Sequence, residues 1–339
     1  VNCLACIPAC PVGAFGADDV VQDLLTCMTR TEDACVELLC EVNTYSEKGW
    51  AEESIGIRCR GCLAGLGAGA LVTLAAMGQK NILIRMDACA GCAWGMLRAN
   101  LEKQVDHARL LLSAWGRSNM LTPVTTLENS YQRPLWDARN PPLSRRDLFR
   151  FAARQGQVAL ARALEQTDTD SGNQLGRDRR RISHAVTLLA TSPTEKDPLL
   201  LGGIYAMLSV SNTCTACGVC GRGCPTGALQ FEMNSEETTY QLTFSPSFCI
   251  GCELCAHICV PTAIAVDHAP SFHQVFGSKD AILLHEGALA RCEQCKATYA
   301  AKPDTYVCPT CEYRRKNPFG SKLPPGLMIS PRDRREEQA

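Results

Sequence analysis

Three short runs of aliphatic and β-branched residues lie in the first third of the chain: ACVELLCEV at 34–42, SIGIRCR at 54–60 and NILIRMDAC at 81–89. Apolar runs of this length read as strands. Between the last two, LAGLGAGALVTLAAMG (63–78) is a small-residue helical stretch. After the third, RANLEKQVDHARLLLSAWG (98–116) sets Leu101, Val105, Ala108 and Leu112 at helical spacing. Strand, helix, strand, helix predicts parallel strands with crossover helices. Beyond residue 128 the pattern changes. NSYQRPLWDARNPPL (129–143) is polar and proline-bearing and reads as a linker. SRRDLFRFAARQGQVALARALEQ (144–166) reads as a helix, with Ser144 as N-cap and Asp147 in its first turn. TDTDSGNQLGRDRRR (167–181) reads as loop, its Arg179, Arg180 and Arg181 forming a solvated or partner-facing patch.

Composition changes this picture at one residue type. The 339-residue chain holds 22 cysteines. A disulfide scaffold is usually much shorter, and neighbours at CxxC spacing cannot all pair without strain. Metal ligation fits the pattern better, and thiolate ligands need a reducing compartment, so the expected location is the cytoplasm or the cytoplasmic face of a membrane. A net charge of −1 gives no electrostatic case for nucleic acid or an acidic lipid surface. The apolar stretch at 63–78 is too short and too glycine-rich to span a bilayer, so membrane association is expected only through partners.

The cysteines repeat. The pattern C-x2-C-x2-C-x3-C occurs at 214–224 and again at 249–259. A third relative opens the chain, with Cys3, Cys6 and Cys10 followed by Pro11. Its first cysteine is expected immediately before Val1. The other readings of this segment are a three-cysteine site with a smaller cluster, or no cluster. An iron–sulfur cubane needs four thiolates, and a loop with x2 spacing wraps only three of them around one face; the fourth comes from elsewhere. Residues 205–270 resemble bacterial-type two-cluster ferredoxin domains: Pro225 follows Cys224 and GAL (227–229) continues the motif, while Val260 intervenes before Pro261 as a departure. The resemblance implies two 4Fe-4S clusters with crossed ligation, one held by Cys214, Cys217, Cys220 and Cys259, the other by Cys249, Cys252, Cys255 and Cys224. It also implies a further 4Fe-4S cluster at the N-terminal motif.

Cys40 closes the first predicted strand, Cys59 and Cys62 follow the second, and Cys89 and Cys92 follow the third. Parallel strands carry their ligands at their carboxyl ends, so these five converge on one edge. Gly61, Gly65, Gly91 and Gly95 leave room for close backbone approach. Residues 34–127 resemble the iron–sulfur delta subunit of methyl-viologen-reducing hydrogenases, through the loop after the second strand, the paired cysteines after the third, and the helix at 108–116. That family's first-strand cysteine pair and His-rich third loop are missing. The resemblance implies a 4Fe-4S or 2Fe-2S cluster and redox subunits as partners; buried free thiols are the alternative. Cys27 and Cys35 stay undecided. GLGAG (65–69) lacks a Rossmann fingerprint and an acidic ribose partner.

Near the end, CEQC (292–295) and CPTC (308–311) form two CxxC knuckles. Cys292, Cys295, Cys308 and Cys311 can surround one ion, as in a zinc ribbon, with a rubredoxin-type iron as the alternative. His273 and His285 read as ordinary surface or core histidines. The expected fold is α/β plus α+β: a partial cluster motif (1–28), a small parallel-sheet domain with a strand-end cluster site (29–128), a linker with a helix (129–200), a two-cluster ferredoxin-like module (201–275), and zinc-ribbon-like knuckles with a tail (276–339). The expected function is a non-catalytic electron-transfer subunit of a hydrogenase, formate dehydrogenase or heterodisulfide-reductase-type complex. The alternative is a reductase with its catalytic cluster or thiols at cysteines 40–92. A redox-sensing protein lacks any DNA-binding motif here.

Overall fold

The computed structural model describes residues 3–16, 18, 20–31, 34–77, 81–128, 130–142, 175–189, 196–202, 204–234, 236–278 and 280–317. The chain forms two compact units, Val1–Leu200 and Leu201–Ala339.

The first unit is built on five strands: β1 (Cys35–Cys40), β2 (Ser54–Cys59), β3 (Ile82–Arg85), β4 (Leu121–Val124) and β5 (Leu135–Asp137). Their order is β4-β3-β1-β2-β5 and every pairing is parallel. Val36, Leu38 and Leu39 of β1 and Ile82 and Ile84 of β3 are fully buried. That is the residue pattern of strands covered on both faces. The predicted helices follow as α3 (Ala68–Ala76), after a short 3-10 turn at Leu63–Gly65, and α4 (Arg98–Leu112), which buries Leu101, Val105, Ala108, Leu111 and Leu112. Two earlier helices, α1 (Cys6–Ala9) and α2 (Val20–Met28), precede the sheet.

Helix α3 is buried along nearly its whole length, from Ala68 to Ala75. The free N–H groups at a buried helix start must find acceptors inside the protein. Gln104 Oε1 accepts from Ala68 N at 3.1 Å, and Asp178 Oδ1 accepts from Gly69 N at 3.0 Å and Ala70 N at 3.3 Å. The glycines of GLGAG therefore admit a protein carboxylate: a Cβ at Gly67 would lie 2.1 Å from Asp178 Oδ1.

Two sequence expectations change here. Residues 177–181, read as loop, begin the helix Arg177–Leu189, and Arg179 and Arg181 are buried rather than solvated. The apolar stripe Ile182, Ala185, Val186 and Leu189 lies just beyond the charge run and carries it inward. Residues 135–137, read as linker, pair with β2 as the sheet's last strand. The neighbouring Pro134 is compatible with an edge position. The helix expected at 144–166 lies outside the described residues, as does the tail beyond residue 317.

In the second unit, β6 (Met207–Val210) pairs antiparallel with β9 (Ile264–Asp267). A second, antiparallel sheet has the order β11-β10-β8-β7, from β7 (Leu229–Met233), β8 (Thr239–Phe244), β10 (Ile282–Arg291) and β11 (Thr298–Ala300). Leu208, Ala228, Leu229, Leu242 and Phe244 form the core between these elements. The long strand β10 pairs with β8 on one side and β11 on the other, so a single strand runs from the cysteine-motif module into the knuckle segment.

Candidate functional site

The two four-cysteine loops of the second unit share one backbone path. The residue after the second cysteine has a left-handed φ, 64° at Gly218 and 57° at Glu253. A short helical turn follows in each, Val219–Gly223 and Leu254–His257. Three residues past the fourth cysteine the left-handed φ recurs, 66° at Gly227 and 50° at Thr262. A non-glycine residue held there is strained by about 1–2 kcal/mol, so the conformation is imposed by the loop. The electrostatic neighbours of Cys220 are Cys217, Cys214 and Cys259, and those of Cys214 include Cys217 and Cys259. Those of Cys255 are Cys249, Cys252 and Cys224. Each set of four thus takes three cysteines from one motif and its last from the other. Burial pushes the Cys220 thiol up to about 11 and the Cys255 thiol up to about 12, and neighbouring thiols add to this. Thiolates this close repel one another, and a cationic group between them relieves the repulsion.

Residues 213–263 match the family of 4Fe-4S dicluster domains. This ferredoxin-like module assigns an iron–sulfur electron-transfer role to its part of the chain. No curated protein matches the chain.

The N-terminal segment repeats the dicluster loop's path. Leu4, directly after Cys3, has φ 54°, the turn α1 starts at Cys6, and Gly13, three past Cys10, has φ 66°. Ala14 N donates to Cys10 Sγ at 3.2 Å, as Ala263 N donates to Cys259 Sγ at 3.3 Å. The Ala14 amide, helped by those of Val12, Gly13 and Phe15, lowers the Cys10 thiol's pKa. The segment is seated on the first unit: a Cβ at Gly65 would lie 2.9 Å from Leu4 Cβ, and Gly176 N donates to Pro11 O at 2.7 Å. Cys3 is an electrostatic neighbour of Cys62.

At the carboxyl edge of the parallel sheet, Cys40, Cys62, Cys89 and Cys92 line one cavity. Burial, then the neighbouring thiols of Cys62, Cys89 and Cys92, push Cys40 up to about 11 against the Val42 amide. Main-chain N–H groups point at two of the sulfurs, Ala64 N to Cys62 at 3.5 Å and Trp94 N to Cys92 at 3.4 Å. Of the five predicted cysteines, Cys59 does not line this cavity. It is 3% exposed and lies near Cys27, Cys40 and Asp137. A left-handed turn at Gly61, φ 78°, brings Cys62 round to the cavity. Burial pushes Cys27 up to about 12. Cys35 starts β1 while Cys40 ends it, which puts it roughly 16 Å from the site at ordinary strand rise. Beside Cys92 opens a second cavity of about 440 Å³, walled by Tyr45, Asp87 and Trp94 among others.

Sequence reasoning missed the charges behind this edge. Arg85, which lines the cysteine cavity, holds Asp87 bidentately at 2.7 and 2.9 Å and also binds the Glu37 carboxylate. Glu37 accepts further from Ser54 Oγ at 2.6 Å, Trp50 N at 2.8 Å and Ala51 N at 3.1 Å. Burial raises its pKa, but the bonds from Ser54 and Ala51 and the Arg133 and Arg85 charges outweigh that and hold it low.

The sulfurs of Cys292, Cys295, Cys308 and Cys311 all lie within 4.8 Å of one another, the one such group among the described residues. Cys295 and Cys308 are 3.6 Å apart. A tetrahedral zinc–thiolate site, with bonds of about 2.3 Å, has sulfur–sulfur edges of about 3.8 Å. The spacing fits one ion. Amides of Cys295 and Cys308 point at Cys292 Sγ and, against the effect of burial, hold its thiol down to about 6.

Proposed function

We infer that the chain is an electron-transfer subunit that carries several iron–sulfur clusters and passes electrons between larger redox proteins. The observation that carries this is the crossed grouping of eight cysteines on a matched dicluster module. Cys214, Cys217, Cys220 and Cys259 hold one 4Fe-4S cluster; Cys249, Cys252, Cys255 and Cys224 hold the other. Cys40, Cys62, Cys89 and Cys92 hold a third, and Cys59 is a buried thiol outside that set. Cys3, Cys6 and Cys10 belong to a fourth, supported by the repeated left-handed positions at Leu4 and Gly13. Bound clusters supply one-electron chemistry, and the surrounding amides and burial set their potentials. The seating of Leu4 on Gly65 and the nearness of Cys3 to Cys62 make the last two sites neighbours within the first unit. Zinc at Cys292, Cys295, Cys308 and Cys311 staples the knuckles without redox chemistry.

The partners are redox subunits of a complex of the hydrogenase, formate dehydrogenase or heterodisulfide-reductase type. This rests on the resemblance of residues 34–127. Among the described residues no helix is long and apolar enough to cross a membrane. A cytoplasmic location follows from the need to keep these thiols reduced. The cavity beside Cys92 supports a second reading, in which a small molecule is reduced at the strand-end site.

The test is iron, sulfide and zinc content of the anaerobically purified chain, with two variants. Cys62→Ser is expected to lose the iron of one cluster, and Cys59→Ser to keep the wild-type amount. Equal losses in both variants would put Cys59 back among the ligands. About eight irons in the wild-type chain would leave clusters only in the dicluster module.

A further inference from the structure

A buried guanidinium lies where the strand-end loops meet. Arg85 is the last residue of β3, and its side chain is fully buried. Leu83 stands opposite Glu37 in the pairing of β3 with β1, and Arg85, two residues on, shares that face of the sheet. Gly56 stands opposite Glu37 on the other neighbour, β2. It leaves a path for a second arginine: a Cβ at Gly56 would collide with Arg133 Nη1, and Arg133 Nε is 3.3 Å from Glu37 Oε2. The side chains of Glu37, Arg85, Asp87 and Arg133 are at most 2% exposed. Two cations meet two carboxylates, so the charges of the group balance, as burial requires.

Four hydrogen bonds leave Arg85. Nε and Nη2 donate to the two oxygens of Asp87 at 2.7 and 2.9 Å, and Nη1 donates to Glu37 Oε2 and, at 2.9 Å, to Lys48 O. Glu37 lies within β1, Lys48 in the connection from β1 to β2, and Asp87 just past β3. One planar fork thus joins a central strand to the loops that follow β1 and β3. Asp87 opens the 3-10 turn Asp87–Gly91, which carries Cys89 and ends at Cys92. Within it Cys89 N donates to Met86 O at 3.0 Å and Cys92 N donates to Cys89 O at 3.2 Å. No residue of the turn is buried, so apolar packing does not hold it. Its fastening to the sheet is the Asp87 side chain. Arg85, Cys89 and Cys92 line the same cavity.

We propose that Arg85 is the positioning residue of the strand-end site: anchored on Glu37, it holds Asp87 and so sets the turn that presents Cys89 and Cys92. The proposal rests on the reading that Cys40, Cys62, Cys89 and Cys92 hold a cluster, and adds to it the group that keeps two of those ligands in place. Arg85 itself binds no metal. Residues that orient ligands from behind change metal affinity by about ten- to a hundredfold when replaced. A lysine at 85 would keep the positive charge and lose the planar fork, so it separates geometry from charge. An asparagine at 87 keeps the size of the side chain and turns one acceptor into a donor facing a guanidinium N–H.

The test is the rate at which a chelator takes iron from the anaerobically purified full chain. The release phase missing from Cys62→Ser identifies the strand-end iron. Arg85→Lys and Asp87→Asn are each expected to speed that phase by about tenfold or more and to leave the dicluster phase unchanged. Ser54→Ala removes a different bond to Glu37 and leaves the Arg85–Asp87 pair intact, so it is expected to release iron at the wild-type rate. A wild-type rate in Asp87→Asn would overturn the proposal. So would a Ser54→Ala chain as fast as the other two, because the charged group would then act only on the stability of the unit. Should Arg85→Lys fail to fold, Asp87→Asn against Ser54→Ala carries the test. A wild-type chain without strand-end iron would overturn the cluster reading. Amide hydrogen exchange along 88–92, expected to be faster in Asp87→Asn than in Ser54→Ala, then tests the fastening by itself, and equal exchange would overturn that as well.

Discussion

His107 on α4 shows how one buried side chain writes itself into the pH dependence of the first unit. Burial, with the Arg179 charge adding to it, pushes its pKa down from 6.5 to about 4. The depressed value means that the unfolded chain takes up a proton near pH 6.5 while the folded chain waits until about pH 4. Stability is therefore full above pH 6.5, falls as the pH drops from 6.5 to 4, and levels off below. Over about 2.5 pH units, at about 1.4 kcal/mol each, the loss comes to roughly 3 kcal/mol. Denaturant unfolding of the wild type and of His107→Leu across pH 7.5 to 4.5 is expected to show a shallower slope in the variant. Parallel curves would mean that His107 is not protected as the packing implies. Neither this histidine nor Glu37 announces itself in sequence. Glu37 sits inside ACVELLCEV as a lone acid on a strand, and its partners Arg85 and Arg133 come from runs 48 and 96 positions away (85 − 37 and 133 − 37). Only the parallel pairing of β1 with β3 brings the first of them near.

At the scale of elements, α3 depends on a cap it does not carry. Its own start, Gly67, offers no side chain, and its amides are met by Asp178 from a helix more than a hundred residues later. Asp178→Ala is expected to cost about 1–2 kcal/mol, the value of an N-cap or of two buried amides left without an acceptor. Asp178→Asn keeps an oxygen in the same place and is expected to cost less. The two variants, compared by thermal unfolding, separate the cap from mere filling of space: equal losses would argue against the cap. The elements that sequence reveals are those with a local period, the strands at 35–40, 54–59 and 82–85 and the helix at 98–112. It conceals β5, three residues long and held by pairing alone, and it conceals the start of the helix at 177–189, where the charges precede the apolar stripe. The same limit acts at the strand-end site. Spacing names five cysteines, but only the turn at Gly61 decides that Cys62 lines the cavity and Cys59 does not.

On the scale of the whole molecule, the second unit joins its cysteine sites through shared secondary structure, which ties the knuckles to the dicluster module. Strand β10 belongs to both. Ala300, on β11, donates its N–H to Thr215 O at 3.0 Å, between Cys214 and Cys217 in the first cysteine loop. Ala216, Tyr240 and Ala300 share one buried cluster. A metal ion held by the four knuckle cysteines would therefore brace the loop that carries the first four-cysteine set. Structural zinc contributes folding free energy directly, so its loss propagates through whatever it holds in place. Cys311→Ser is expected to release the zinc and to speed amide hydrogen exchange at Ala300 and along the 214–220 loop by at least tenfold. Exchange along β6 and β9, on the other sheet, is expected to change far less. Iron bound at Cys214, Cys217, Cys220 and Cys259 should also become accessible to a chelator sooner than iron at the second set. Unchanged protection at Ala300 after zinc loss would show that the knuckles fold onto β10 without bracing the loop.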